Sequence, residues 1–331
     1  MPRRTTTTSR PRRATSSTRT AFAAGNRLAE QILRDRRAAL RRRAKAIRNQ
    51  PARMLGIGAP AVEKKFVDSA GPAGIATLVA EGDSWFNYPG KDVLGALHDL
   101  GYDIEHVARP GDLIESMAYL PGELADFARV LEKLAQRRIR PKAVLLSGGG
   151  NDVAGDQFHM LLDHVASKRP GLNEDVVRGV IDVRVRNAYD SIITAMTRLC
   201  REIIDDKVPI PILLHGYGNP VPDGRGFLGG ALFLPGPWLR PGFHQKGFED
   251  QHTNTVTMEV LIGRFNNMLA DVVKGFVAKG FKHVHYVDVR GALQNGPNYR
   301  QWWANELHPK NRGFDAVAKI IADKLGGLGP I

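Results

Sequence analysis

The sequence predicts an α/β protein: a single doubly wound, mostly parallel five-stranded sheet flanked by helices in an α/β/α sandwich. Three observations predict it. Short apolar runs alternate with helical patterns over most of the chain. The apolar runs lack polar alternation, as strands buried on both faces require. Glycine and polar residues cluster just past the strand ends, where open α/β sheets place their ligands.

The first strand is read at Ile75–Glu81, and a helix over Lys91–Leu100 stops at Gly101. The second strand, Asp103–Ala108, leads into helical pieces at Leu113–Leu120 and Glu123–Arg137. The third, Ala143–Ser147, ends in three glycines. A mixed stretch then runs to about Val183, followed by a helix over Arg184–Asp205 and a fourth strand at Ile210–His215. The segment Tyr217–Phe248 is dense in Gly, Pro and aromatic residues and too long for an ordinary connection. Residues 217–250 are therefore an insert, either a mobile lid over an apolar site or a fixed excursion packed on its own side chains. A helix over Thr255–Lys279 stops at Gly280, a fifth strand spans His283–Val289, and a helix over Phe314–Leu325 closes the fold.

Charge is segregated along the chain. Residues 1–53 hold 16 of the 47 basic residues and two of the 34 acids, a net of +14, so the rest is near neutral at −1. The basicity belongs to an N-terminal arm and says little about the body. Residues 1–24, rich in Arg, Ser and Thr without an acid, read as disordered, with a composition that also resembles an organellar transit peptide. From Asn26 to about Asn49 the pattern is helical, with Leu28, Ile32, Leu33, Leu40 and Ile47 among basic residues. This helix either packs weakly on the body or binds nucleic acid or an acidic membrane surface. Residues 54–74, with several Gly and Pro, read as a linker, and 75–331 as the main domain. No apolar run reaches the roughly 18–20 residues of a membrane span. The single cysteine, Cys200, excludes an internal disulfide and a cysteine-based zinc cluster. A cytoplasmic location is expected, with organellar targeting or secretion as the alternative if the arm is a targeting segment.

Ser84 stands just past the first strand, in Gly82-Asp83-Ser84-Trp85. A serine is a poor nucleophile unless a base takes its proton and donors stabilise the oxyanion, so partners must come from elsewhere. Arg109-Pro110-Gly111-Asp112 follows the second strand, Gly148-Gly149-Gly150-Asn151-Asp152 the third, and Asn305-Glu306-Leu307-His308-Pro309 precedes the last helix. In a doubly wound sheet these positions share one edge. His215, at the end of the fourth strand, competes with His308 as base or else shapes the pocket. Trp302 and Trp303 line the same cleft or belong to the core. The pairs His159/His164 and His283/His285 lack a metal-binding pattern, and the triple glycine lacks the Lys-Ser/Thr of a nucleotide loop.

The four blocks, GDSW, a glycine after the second strand, GGND and a His-Pro pair before the final helix, resemble the SGNH (GDSL-type) hydrolases over about residues 75–325. The resemblance implies a flavodoxin-like sandwich and a serine esterase or lipase-like activity on a small-molecule or lipid-like ester, without cofactor or metal. Ser84 is then the nucleophile and His308 the base, with the backbone N–H of Ser84, the N–H of Gly111 and the side chain of Asn151 as oxyanion hole. Asp83 and Asp152 brace the loops. Where such hydrolases usually have an acid, three residues before the histidine, this chain has Asn305, which can orient an imidazole but not neutralise an imidazolium. Glu306 or Asp288 could supply the missing carboxylate. Thioester cleavage or acyl transfer would use the same atoms. The alternative is an anionic-surface binder that works through its basic arm and has a degenerate hydrolase body.

Overall fold

The computed structural model describes residues 16–48, 74–204, 208–229 and 234–328. The expected disorder of residues 1–15, nearly all of the linker and Phe233 in the insert lie outside them. Five strands, β1 (Ala76–Glu81), β2 (Tyr102–His106), β3 (Ala143–Leu146), β4 (Ile212–His215) and β5 (Val284–Val287), form one sheet in the order β2-β1-β3-β4-β5. Every neighbouring pair in it is parallel. The only other ladder among the described residues joins Leu162-Asp163 to Gly171-Leu172. The unalternated apolar runs are explained by burial, since β3 and β4 are covered over their full length.

The chain leaves β1 toward β2 on one side and leaves β3 toward β4 on the other. The crevice past the carboxyl ends of β1 and β3 is therefore the topological switch point, the place where such sheets take ligands.

On one face α2 (Val93–Asp99) packs on the C-terminal helix Asn311–Gly326. On the other, α3 (Ile114–Tyr119) and α4 (Pro121–Gln136) pack around α5 (Arg186–Ile204), against which the long helix Gln251–Ala278 also lies. Helical structure before α5 begins at Glu174 and passes through a π-helical stretch, Arg178–Val185, earlier than the sequence pattern suggests. Gly179 and the β-branched Val180, Ile181, Val183 and Val185 are weak helix formers, and they blur the periodicity there.

The N-terminal segment departs most from expectation. A helix, α1 (Ser16–Arg48), begins well before Asn26, so residues 16–24 are ordered rather than disordered. It lies on α5 and α4. Ala21, Ala29, Ile32 and Leu33 are buried there, and Phe22 stacks on Phe276 with ring centroids 4.7 Å apart. Two ion pairs flank the contact, Arg36–Glu132 at 2.6 Å and Arg198–Glu30 at 3.0 Å. The helix is thus a packed layer of the body, while Arg27, Arg34, Arg37, Arg41 and Arg42 keep its outer face basic.

Gly25 lets α1 approach this closely, because a Cβ there would lie 2.1 Å from the Ser191 carbonyl oxygen. Gly25→Val is expected to lift α1 off α5 and to lower unfolding free energy in urea by about 1–3 kcal/mol. Unchanged stability would mean that the helix does not dock in solution.

Candidate active site

The turn after β1 is built to hold Ser84 out of the sheet. At Gly82 a Cβ would lie 2.8 Å from the Ser147 carbonyl oxygen, so only glycine fits between the ends of β1 and β3. The Asp83 carboxylate accepts from the Trp85 N–H and the Ser147 hydroxyl, each at 3.0 Å, and from the Tyr217 hydroxyl. Its backbone carbonyl accepts from Phe86 and Asn87, which closes the turn. Trp85 and Phe86 are buried beneath it.

His308 is held by an equally tight turn. The Asn305 Oδ1 accepts from the N–H groups of Leu307 and His308 at 3.0 and 2.8 Å, and from His308 Nδ1 at 3.0 Å. Its Nδ2 donates to the Tyr88 hydroxyl at 3.1 Å. Two backbone N–H groups on one atom identify that atom as the oxygen, so His308 Nδ1 carries the hydrogen and Nε2 the lone pair. Nε2 lies 2.8 Å from Ser84 Oγ, although the two residues are 224 apart in sequence. Tyr88 also stacks on the imidazole with centroids 4.3 Å apart, and Trp238 meets it edge-on. Burial pushes the His308 imidazole down to about 3, so the ring is neutral at ordinary pH.

The other two blocks converge on the same place. Asn151 donates its side-chain amide to the Asp112 carbonyl at 3.0 Å, fastening the loop after β3 to the loop after β2 beside Gly111. An amide nitrogen has two hydrogens, so this bond leaves one for a ligand. Gly111 has φ +85°, a left-handed conformation that suits glycine. The Ser84 and Gly111 backbone N–H groups have no hydrogen-bond partner among the described residues. Asp152 accepts from the Ile114 N–H at 2.9 Å at the start of α3, and burial pushes its carboxyl up to about 6. The Asp83 and Asp152 carboxylates thus each hydrogen-bond backbone of the loops beside Ser84 and Asn151.

Three candidates, Glu306, Asp288 and His215, have other partners. Glu306, fully buried, turns away from His308 and accepts four backbone N–H groups of the insert: Gly224 and Arg240 on Oε1 at 2.9 and 3.0 Å, Trp238 and Leu239 on Oε2 at 2.6 and 2.7 Å. Burial raises its pKa, while these N–H groups lower it. It does not replace the missing acid, and neither does Asp288, which is paired with Arg290. His215 sits against Trp85 and Phe86 with Nδ1 on the Gly216 carbonyl at 2.6 Å, behind the serine turn and not on Ser84.

The insert is fixed at several points. Besides Glu306, Arg225 pairs with Asp223 at 2.5 Å and donates to the carbonyls of Trp303 and Ala304. Tyr217 and Phe243 are buried, and Trp238 stands beside His308. Trp303 is core, while Trp302 is half-buried under Arg312. A small cavity opens at Ser84, lined by Asn151, Trp85, Leu239, Met258 and Ile262 among others. Tyr88 was not among the sequence candidates. Its signal was its place in Phe86-Asn87-Tyr88-Pro89, directly after the serine.

The class defined by fold and site is thus an α/β/α sandwich with an all-parallel central sheet and a hydrogen-bonded Asn305–His308–Ser84 chain at its switch point. No family model and no curated protein matches the chain. Among solved structures it is similar to a GDSL-like lipase from Bacteroides thetaiotaomicron, with 14% identity over 76% of this chain and 88% of that one and a TM-score of 0.38. A family 3 carbohydrate esterase from Clostridium thermocellum gives 16%, 77%, 99% and 0.41 in the same order. A catalytic mutant of an acetylxylan esterase from Geobacillus stearothermophilus gives 12%, 77%, 96% and 0.42.

Proposed function

We propose that the protein is a serine ester hydrolase that works through an acyl-enzyme. The observation behind this reading is the 2.8 Å contact between His308 Nε2 and Ser84 Oγ, with the tautomer set by Asn305. In the proposed reaction Ser84 Oγ attacks the ester carbonyl as its proton passes to His308 Nε2. The N–H groups of Ser84 and Gly111 and the second Asn151 amide hydrogen receive the oxyanion. His308 then returns the proton to the leaving alcohol, and a water deprotonated by the same nitrogen releases the acid.

Asn305 deserves a physical account, because exchanging the acid for an amide in a serine protease costs about 10⁴ by stabilising the wrong tautomer. Here the amide cannot easily flip. Two backbone N–H groups hold its oxygen and Tyr88 receives its nitrogen. The tautomer is kept, and only the charge is missing.

A base must be neutral to accept a proton. With the imidazole held at about 3 by burial and no carboxylate beside it, kcat/KM is expected to stay level through pH 6.5, the ordinary histidine value, and to fall only in more acid solution. An acid limb centred at 6.5 would contradict that picture. The decisive test is chemical: a fluorophosphonate probe should label Ser84, with labelling lost in Ser84→Ala and strongly reduced in His308→Ala. Folded wild-type protein that resists the probe would overturn the reading.

A further inference from the structure

Behind the serine turn, three carboxylates from separate parts of the chain meet. Glu81 is the last residue of β1, Asp112 lies in the loop after β2, and Glu123 is in the first turn of α4. One oxygen from each lies within 4.8 Å of the other two, the only such convergence of acidic, histidine or cysteine side chains among the described residues.

A second observation points to a ligand. Glu81 is 1% exposed, and its Oε2 has no hydrogen-bond partner among the described residues. Asp112 Oδ2 and Glu123 Oε2 are likewise buried and unpartnered. Three desolvated acceptors without donors are costly in a folded protein. Arg109 accounts for part of the charge: it donates to Glu123, and to Asp126 at 2.5 Å. One guanidinium against three carboxylates still leaves two negative charges.

We propose that Glu81, Asp112 and Glu123 form a binding site for a single calcium ion. The donors are all hard oxygens, and their charge excess equals that of a divalent cation. Magnesium sheds its waters reluctantly and is seldom held by protein oxygens alone, whereas calcium accepts irregular sets of carboxylates, so a buried cluster of three suits the larger ion. The rival arrangement is a proton. Burial, and next the Glu123 charge, raise the Glu81 pKa, so a proton competes with a cation for this place. The ion would join the end of β1 to the loop of Gly111 and to α4. It would thereby stiffen the floor of the serine turn without touching a reacting atom.

The test uses the full chain, stripped with chelator and passed into metal-free buffer. Equilibrium dialysis against calcium chloride should give one ion per chain, and the Tm should rise by several degrees at saturating calcium. Glu81→Gln keeps the size and the Oε1 contact with the Gly82 N–H but removes one charge. It should weaken calcium binding by about tenfold or more, and so should Asp112→Asn. Both variants should fold without added calcium, because each relieves like-charge repulsion. Absence of calcium binding and of a Tm shift in the wild type at millimolar calcium overturns the proposal in favour of the proton. Unaltered calcium affinity in both variants overturns it by placing the ion elsewhere. Neither readout depends on ester turnover, so failure here and failure of the hydrolase reading are separate results.

Discussion

Ser84→Ala and His308→Ala are each expected to lower kcat/KM on p-nitrophenyl esters by about 10⁴-fold or more, and the double variant to be no worse than either. The hydroxyl and the imidazole meet at 2.8 Å and in the proposed reaction act as one unit. Once one is gone the other has nothing to activate or to be activated by. The residual rate would come from the Ser84 and Gly111 N–H groups and Asn151, which need neither side chain. Steady-state kinetics on the four proteins checks this. Additive losses would mean that the two groups act separately and that the contact is not the catalytic one.

The largest effect on stability is expected at Glu306. Its carboxylate receives four backbone N–H groups, two on each oxygen, in a fully buried position. Glu306→Ala would leave all four donors without a partner. Glu306→Gln would turn an NH₂ group toward two of them. Breaking so many charge-assisted bonds is expected to cost about 3–5 kcal/mol or more for alanine and somewhat less for glutamine. Urea unfolding measures the loss. Limited proteolysis should cut first within 217–250, because the released donors belong to that segment. A stable, protease-resistant Glu306→Ala would show that the insert is held by its apolar side chains instead.

The sheet was legible in the sequence because β3 and β4 lie between layers, and such strands leave unalternated apolar runs. The meeting of Ser84 and His308 was legible because the polar blocks stand at strand ends that a doubly wound sheet must bring together. Side-chain direction was not legible. Asn305 and Glu306 are neighbours, yet one faces the imidazole and the other the insert. Periodicity says nothing about that inside an irregular turn. The closeness of α1's docking was hidden for a different reason, although packing on the body was one of its two readings. Much of its buried stripe is small, with Ala21, Gly25 and Ala29, and contributes little hydrophobicity among so many arginines. What marks it as a packing face is closeness of backbones, which only the fold reveals. Tyr88 escaped notice because an aromatic after the serine reads as core until the ring is seen against His308.

The short stretch from Trp303 to His308 serves two neighbours at once. It presents the imidazole to Ser84, and through Glu306 and the Trp303 and Ala304 carbonyls it grips the segment that supplies Tyr217 and Leu239 to the cavity wall. Reshaping that wall to admit a different acyl group would therefore tug on the base. Under the proposed reaction, selectivity and turnover should be inherited together, and redesign of one would start more safely from the Met258 and Ile262 side, which belongs to a separate helix.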